Sequence, residues 1–152
     1  MTNLEIKANL YQFCLSHIEN KHDQLQESID DAQNSLSSES KSTAGDKHDT
    51  GRAMMHLEIE KKGQQLAELE KLKRVMIQFS PNKLNSTIDL GTAIRTNHGN
   101  YFLSIGIGRI ELEDEIFYAI SLASPLAQNI KNSYPTKAFE FLNKSYSIKE
   151  IF

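Results

Sequence analysis

The feature that most constrains this chain is a long run, residues 5–38, with neither proline nor glycine. Apolar side chains recur along it in steps of three, four and seven, which is the spacing of one helix face. These positions are Ile6, Leu10, Phe13, Cys14, Ile18, Leu25, Ile29, Ala32 and Leu36. The apolar stripe is narrow and the other faces are polar, which is typical of a coiled-coil seam. The run therefore predicts one helix about 50 Å long.

A second helical run follows a short break. Residues 37–44 lose the periodicity and are rich in serine and threonine, so they predict a loop. Periodicity returns near Asp49 or Thr50, either of which can cap a helix, and Pro81 ends the run. The apolar seam of this run comprises Met54 or Met55, Ile59, Leu66, Leu69, Leu72 and Met76. Two such runs joined by a short loop predict an antiparallel two-helix coiled coil over residues 1–79.

The remaining residues, 80–152, have a different pattern. Beyond a turn-rich stretch the apolar period changes from helical spacing to two, which predicts strands. The predicted strands lie around residues 88–96, 101–107, 115–121, 136–141 and 146–151. Ser124-Pro125 predicts the start of a short helix, because serine is a good N-cap and proline is favoured at the first helical position. We therefore predict an α+β fold in which a small β-rich domain follows the coiled coil.

Composition excludes several classes of protein. The net charge of −3 argues against a free-standing nucleic-acid binder, which normally has a strongly basic domain. The single cysteine, Cys14, excludes an internal disulfide and any cysteine-based zinc site. The N-terminus has no signal-peptide pattern, and no apolar run approaches the ~20 residues of a membrane span. We therefore expect a cytoplasmic protein with no membrane contact.

Motifs for common chemistries are also missing. Gly106 and Gly108 lack the third glycine and the following helix of a dinucleotide fingerprint, so we interpret them as the end of a strand. Ser121 and Ser124 lack the Gly-x-Ser-x-Gly context of a hydrolase nucleophile. The five histidines are scattered along the chain without metal-ligand spacing.

The stretch between the two helical runs, residues 44–51, contains the candidate functional residues. Its sequence Ala-Gly-Asp-Lys-His-Asp-Thr-Gly places two carboxylates, Asp46 and Asp49, three residues apart at the expected tip of the hairpin. One interpretation is that the hairpin belongs to a larger bundle and that the acids merely solvate a turn. The other is that a long polar arm brings them into a site on another molecule.

Several local patterns together resemble the bacterial Gre transcript-cleavage factors. That family has the tip pattern Gly-Asp-x-x-Glu-Asn, and residues 45–50 fit it with Asp49 in place of Glu and Thr50 in place of Asn. Residues 101–108 resemble the family's strand ending in glycine. Residues 124–127, Ser-Pro-Leu-Ala, resemble its helix start, and residues 146–148 its closing strand.

The resemblance implies an FKBP-like C-terminal domain and a function in transcription elongation. The implied partner is RNA polymerase, whose secondary channel the coiled coil enters. There Asp46 and Asp49 help to hold a second Mg²⁺ jointly with the polymerase, which then cleaves backtracked RNA. The residues expected to contact the partner beside them are Lys47, His48, Thr50 and Arg52. On this interpretation the chain is a monomeric auxiliary factor and is not itself an enzyme.

Two alternatives to cleavage stimulation stay open. The chain could be a regulator that occupies the secondary channel without stimulating cleavage, or a structural coiled-coil adaptor that forms homodimers through its narrow seam. The regulator would leave backtracked RNA uncleaved. The adaptor would have the mass of a dimer in solution, whereas the cleavage factor is expected to be a monomer.

Overall fold

A computed structural model describes the backbone of residues 1–39 and 46–152 and the side chains of residues 1–38 and 50–152. Contacts divide the chain into two compact units. The sheet unit comprises Met1–Leu15 and Arg74–Phe152, and the helical unit comprises Ser16–Lys73. Within the described ranges, every helix is too short or too polar to cross a bilayer. The predicted domain boundary between residues 79 and 80 stays a prediction.

Two long helices form the N-terminal half, as the periodic runs predict. α1 spans Asn3–Glu39 and α2 spans Asp46–Met76. They pack against each other, and the contacts show that they run antiparallel. Arg52, in the second turn of α2, reaches the backbone of Leu36 near the end of α1, whereas Leu25 and Leu69 line one groove farther along both helices.

The helices are longer than predicted, so the predicted loop at 37–44 is wrong at its start. Residues 37–39 are helical, and α2 begins at Asp46 rather than at Asp49 or Thr50. Serine and glutamate cost a helix only a few tenths of a kcal/mol, so composition alone does not end α1 at residue 37. The rest of the predicted loop, residues 40–45, lies outside the described residues.

About half of the predicted seam is buried, and its buried positions within Met1–Leu15, together with Met76, belong to the sheet unit. Its buried members are Ile6, Leu10, Cys14, Ile18, Ile29 and Leu36 on α1 and Leu69 and Met76 on α2. Phe13, 43% exposed, and Met54, 66% exposed, are exceptions that point away from the seam. Each is the sequence neighbour of a seam residue, and one helical step of about 100° moves a side chain off a narrow stripe.

The sheet unit contains six strands and one short helix. They are β1 (Ala93–Thr96), β2 (Gly99–Ser104), β3 (Gly108–Glu111), β4 (Ile116–Ser121), α3 (Pro125–Ser133), β5 (Ala138–Phe141) and β6 (Lys144–Ile151). The strand order is β3-β4-β2-β1-β6-β5. β2 and β4 are parallel and the other neighbours are antiparallel. This confirms the α+β class and the strand-rich C-terminal half.

Both faces of the central strands are covered, since β2 is buried continuously from Tyr101 to Ser104. One face carries the core cluster that includes Tyr101, Leu103 and the α3 residues Ala127 and Ile130. Because apolar groups of this size each contribute roughly 1.5–3 kcal/mol when fully buried, this cluster is a main source of stability.

The opposite face packs against the beginning of α1 and the residues after α2. The Cys14 Sγ lies 3.8 Å from the Ser104 Oγ on β2. Phe79 stands edge-on to both Tyr11 of α1 and Phe102 of β2, with ring centroids 5.4 and 6.0 Å apart. The first four turns of α1 are therefore part of the core of the sheet unit.

The strand predictions agree with the structure within two residues except at three points. The first strand begins at Ala93 instead of residue 88, the second ends at Ser104 instead of residue 107, and β3 was not predicted. Ile88 is buried in the core but precedes β1 because Thr92 folds the chain into a turn. The Thr92 Oγ1 accepts from the Asp89 N–H at 3.1 Å and donates to the Thr87 carbonyl at 2.8 Å.

The predicted start of the short helix is confirmed. The Ser124 Oγ accepts a hydrogen bond from the Ala127 N–H at 3.2 Å, and Pro125 is the first residue of α3. An N-cap of this kind contributes about 1 kcal/mol.

Candidate functional site

The predicted tip residues lie at the beginning of α2. The backbone from Asp46 to Thr50 is helical, so Asp46 and Asp49 occupy the first turn. Residues three apart in a helix are neighbours on one side of it. The side chains of Asp46, Lys47, His48 and Asp49 lie outside the described residues. Their predicted roles in catalysis, metal binding and partner binding stay predictions.

The two other predicted partner-binding residues, Thr50 and Arg52, are described. Thr50 is exposed, whereas Arg52 is partly buried. The Arg52 Nη1 donates to the Leu36 carbonyl at 3.3 Å. Leu36 lies in the last turn of α1, where carbonyls lack helical N–H partners and attract positive charge. Arg52 therefore joins the two helices close to the tip, and its contact with a partner stays a prediction.

The predicted magnesium ligands can be judged by their chemistry, because the side chains of Asp46 and Asp49 lie outside the described residues. Mg²⁺ prefers octahedral oxygen coordination, usually with one or two carboxylates, several waters and a phosphate. Nowhere in the described ranges do three or more His, Cys, Asp or Glu side chains group closely enough to hold a metal. Carboxylates such as those of Asp46 and Asp49 suit Mg²⁺ in chemistry, and their joint binding of Mg²⁺ with a partner stays a prediction.

The sheet unit contains a buried lysine, Lys7, that was not predicted from the sequence. Lys7 has no exposed surface, and its Nζ donates to the Lys83 carbonyl and to the Asn85 Oδ1, both at 2.8 Å. Burial, and secondarily the nearby Lys83 ammonium, lowers the pKa of Lys7 to about 8. The signal was present in the sequence, because Lys7 lies three and seven residues before the seam positions Leu10 and Cys14.

An ion-pair network surrounds Arg95 on β1. Its guanidinium donates to both carboxylate oxygens of Glu115, at 2.9 and 2.8 Å, and also pairs with Glu150. The hydrogen bonds from Arg95 lower the pKa of Glu115. The pKa of Glu150 is lowered first by a hydrogen bond from Asn3 and then by Arg95. The Arg95 guanidinium also lies over the ring of Phe152, 4.8 Å from its centroid. This network joins the two ends of the chain to the sheet.

Comparisons with protein-family models, curated protein sequences and solved structures find no match. The resemblance to the Gre family therefore depends on the motifs and on the order of the elements.

Proposed function

We propose that this chain is a transcription elongation factor of the Gre type. It binds RNA polymerase through the secondary channel and stimulates cleavage of backtracked RNA. The observation that carries this proposal is the antiparallel helix pair whose second helix begins at Asp46. A helix of 31 residues is about 46 Å long, which is long enough for its first turn to reach deep into a channel.

In this proposal the chain contributes two carboxylates and does no chemistry alone. Asp46 and Asp49 each offer oxygen ligands, and either can orient a water molecule as a base. Asp46 and Asp49 would hold a second Mg²⁺ jointly with the polymerase, and this ion would supply charge stabilisation for an in-line displacement.

Asp49 is one methylene shorter than the glutamate of the family pattern. This shortens its reach by about 1.3 Å. Misplacement by ~1 Å can cost 100-fold in rate, so we expect Asp46 to contribute more than Asp49. Lys47, His48, Thr50 and Arg52 are proposed to contact the polymerase complex around the acids.

The FKBP-like description of the C-terminal half is also part of the proposal. It is supported by a short capped helix that follows β4 and packs on the sheet, as residues 124–127 predict. The sheet unit is proposed to bind the rim of the channel. The proposal implies a cytoplasmic monomer that contacts nucleic acid only through the polymerase.

The decisive test is a transcript-cleavage assay on backtracked complexes with Mg²⁺. We expect the wild-type chain to release short 3′ RNA fragments. Asp46→Ala with Asp49→Ala should lower the rate about 100-fold or more while polymerase binding persists. A matched control removes two exposed acids from the middle of α1, Glu27→Ala with Asp31→Ala, and should cleave at the wild-type rate.

Three outcomes would contradict parts of this proposal. Wild-type chain that competes for the secondary channel without producing fragments is a non-cleaving regulator. Cleavage that survives the double tip substitution means that Asp46 and Asp49 are not the functional acids. A dimeric mass in solution, combined with no polymerase binding, favours the structural adaptor.

A further inference from the structure

The turn that joins β5 and β6 has an unusual residue at its tip. It consists of Leu142 and Asn143, with φ of 48° and 64°. Phe141 pairs with Lys144 across it, so it is a two-residue hairpin turn with positive φ at both central positions. Such turns strongly favour Asn-Gly or Asp-Gly. Leucine in this conformation is strained, because its Cβ crowds the following carbonyl oxygen.

Leu142 is also the most exposed of the large apolar side chains in the described ranges, at 80%. A singly exposed leucine needs no explanation by itself. Here, however, the Leu142 side chain gains no free energy from burial, and its positive φ adds backbone strain. Strain of this kind persists where the surrounding structure holds it, and it clusters at ligand clamps and other functional sites.

The base of this hairpin holds the tip firmly. β5 and β6 pair over four registers, from Ala138↔Ser147 to Phe141↔Lys144. The rings of Phe139 and Tyr146 stack with centroids 4.9 Å apart and planes 10° apart. The Asn129 Nδ2 of α3 donates to the Glu140 carbonyl at 3.1 Å. An apolar side chain on such a base loses little entropy when it binds.

Two lysines flank the turn, whereas the chain as a whole is acidic. Residues 137–144 contain two lysines and one acid, Glu140, which gives +1 against −3 for the whole chain. Lys137 and Lys144 flank the hairpin and are exposed. Over the described ranges, neither of them has a carboxylate within ion-pair distance. Such a surface complements carboxylates on a partner.

We propose that Leu142 is an anchor that inserts into an apolar pocket, rimmed by carboxylates, on the surface of RNA polymerase. The identity of this partner rests on the function proposed above, whereas the anchor itself rests on the strain, exposure and charge of the hairpin. A protein surface is favoured over nucleic acid because the side chain at the tip is aliphatic. Nucleic-acid contacts use mainly phosphate-binding cations and stacked aromatic rings.

The test is the affinity of the full chain, labelled at its N-terminus, for core RNA polymerase. Asparagine tolerates positive φ better than leucine but offers no apolar contact. Leu142→Asn is therefore expected to weaken binding by at least about tenfold and to raise the melting temperature by about 3 °C. Higher stability with weaker binding excludes misfolding as the cause.

Two companion variants sharpen this test. Leu142→Met keeps an apolar anchor and should bind within about threefold of wild type. Lys137→Gln with Lys144→Gln should lower both the affinity and its dependence on salt concentration.

The outcomes separate this inference from the proposed function. If wild type and Leu142→Asn bind polymerase equally and both support RNA cleavage, the anchor is refuted and the proposed function stands. If wild type does not bind polymerase at all, both fail. If free RNA binds the wild-type chain and the lysine substitutions abolish this binding while Leu142→Asn does not, the hairpin is a nucleic-acid contact and the anchor is refuted.

Discussion

Replacing Lys7 by methionine is expected to remove a pH dependence of stability that the wild-type chain has in mildly alkaline solution. Lys7 is fully buried, and its two hydrogen-bond acceptors are the Lys83 carbonyl and the Asn85 Oδ1. A neutral amine has two N–H donors, so it satisfies both acceptors without a buried charge. The Asn85 amide is held in this orientation because its Nδ2 donates to the Thr92 Oγ1 at 3.0 Å.

The sign follows from the direction of the shift. The pKa of Lys7 is lowered from 10.5 to about 8 by folding, so between these values the unfolded chain binds more protons than the folded chain. The free energy of unfolding therefore rises with pH across this window. The full shift corresponds to about 3 kcal/mol, of which about 2 kcal/mol falls between pH ~7 and pH ~9.5.

The measurement is urea unfolding of wild type and Lys7→Met at a series of pH values in this range. Subtraction of the two curves cancels the groups that both chains share, including Tyr101, whose pKa burial raises to about 12. Methionine leaves both acceptors without the lysine donor, at a cost of about 1–3 kcal/mol. That cost does not vary with pH, so the slope of the difference is the informative quantity.

The control is Lys61→Met, which removes an exposed lysine from α2 and should keep the wild-type pH dependence. A difference between wild type and Lys7→Met that is flat from pH ~7 to pH ~9.5 would show that Lys7 keeps its charge in the folded protein. The prediction that the folded protein buries Lys7 as a neutral amine would then be wrong. If the free energy of unfolding of wild type, relative to that of Lys7→Met, falls as the pH rises, the predicted pH dependence has the wrong sign and the reasoning is refuted.

Two further predictions concern the sheet unit. Gly91→Ala should destabilise the fold by about 2–5 kcal/mol, because Gly91 has φ of +91° and an added Cβ would lie 2.6 Å from the Phe79 ring; thermal unfolding measures this, and a loss below ~1 kcal/mol would contradict it. Arg95→Gln should cost about 2 kcal/mol near neutral pH. Because the pKa values of Glu115 and Glu150 are lowered in the folded chain, their contribution is lost as pH falls through those values. The difference between wild type and variant should therefore shrink in acid, and a constant difference would contradict it.

The two long helices were predictable because their pattern repeats over more than thirty residues, so single exceptions such as Phe13 do not obscure it. Their ends were not predictable with the same accuracy. The last turn of α1 is joined to α2 by the bond from Arg52 to the Leu36 carbonyl. That bond links residues sixteen apart, which no local pattern reveals.

The strands were predictable where alternation was long enough to see. β3 has only four residues, Gly-Arg-Ile-Glu, and exists through its pairing with β4. Lys7 and Leu142 were missed for a related reason. The burial of Lys7 depends on hydrogen-bond acceptors more than seventy residues away. The strain at Leu142 depends on a φ angle that the pairing of β5 with β6 imposes.

The helical start at Asp46 changes the physical interpretation of the two tip acids. On a loop their separation would vary, whereas in the first turn of α2 their positions are neighbours with a fixed spacing. The positive end of the helix dipole favours carboxylates there, and the same field opposes a bound cation. The first turn is thus suited to present two ionised carboxylates without binding a metal ion on its own.

Any Mg²⁺ that Asp46 and Asp49 contact should need ligands from a partner, so we expect the isolated chain to show no Mg²⁺ binding by calorimetry at millimolar concentration. Tight binding by the isolated chain would contradict the auxiliary role.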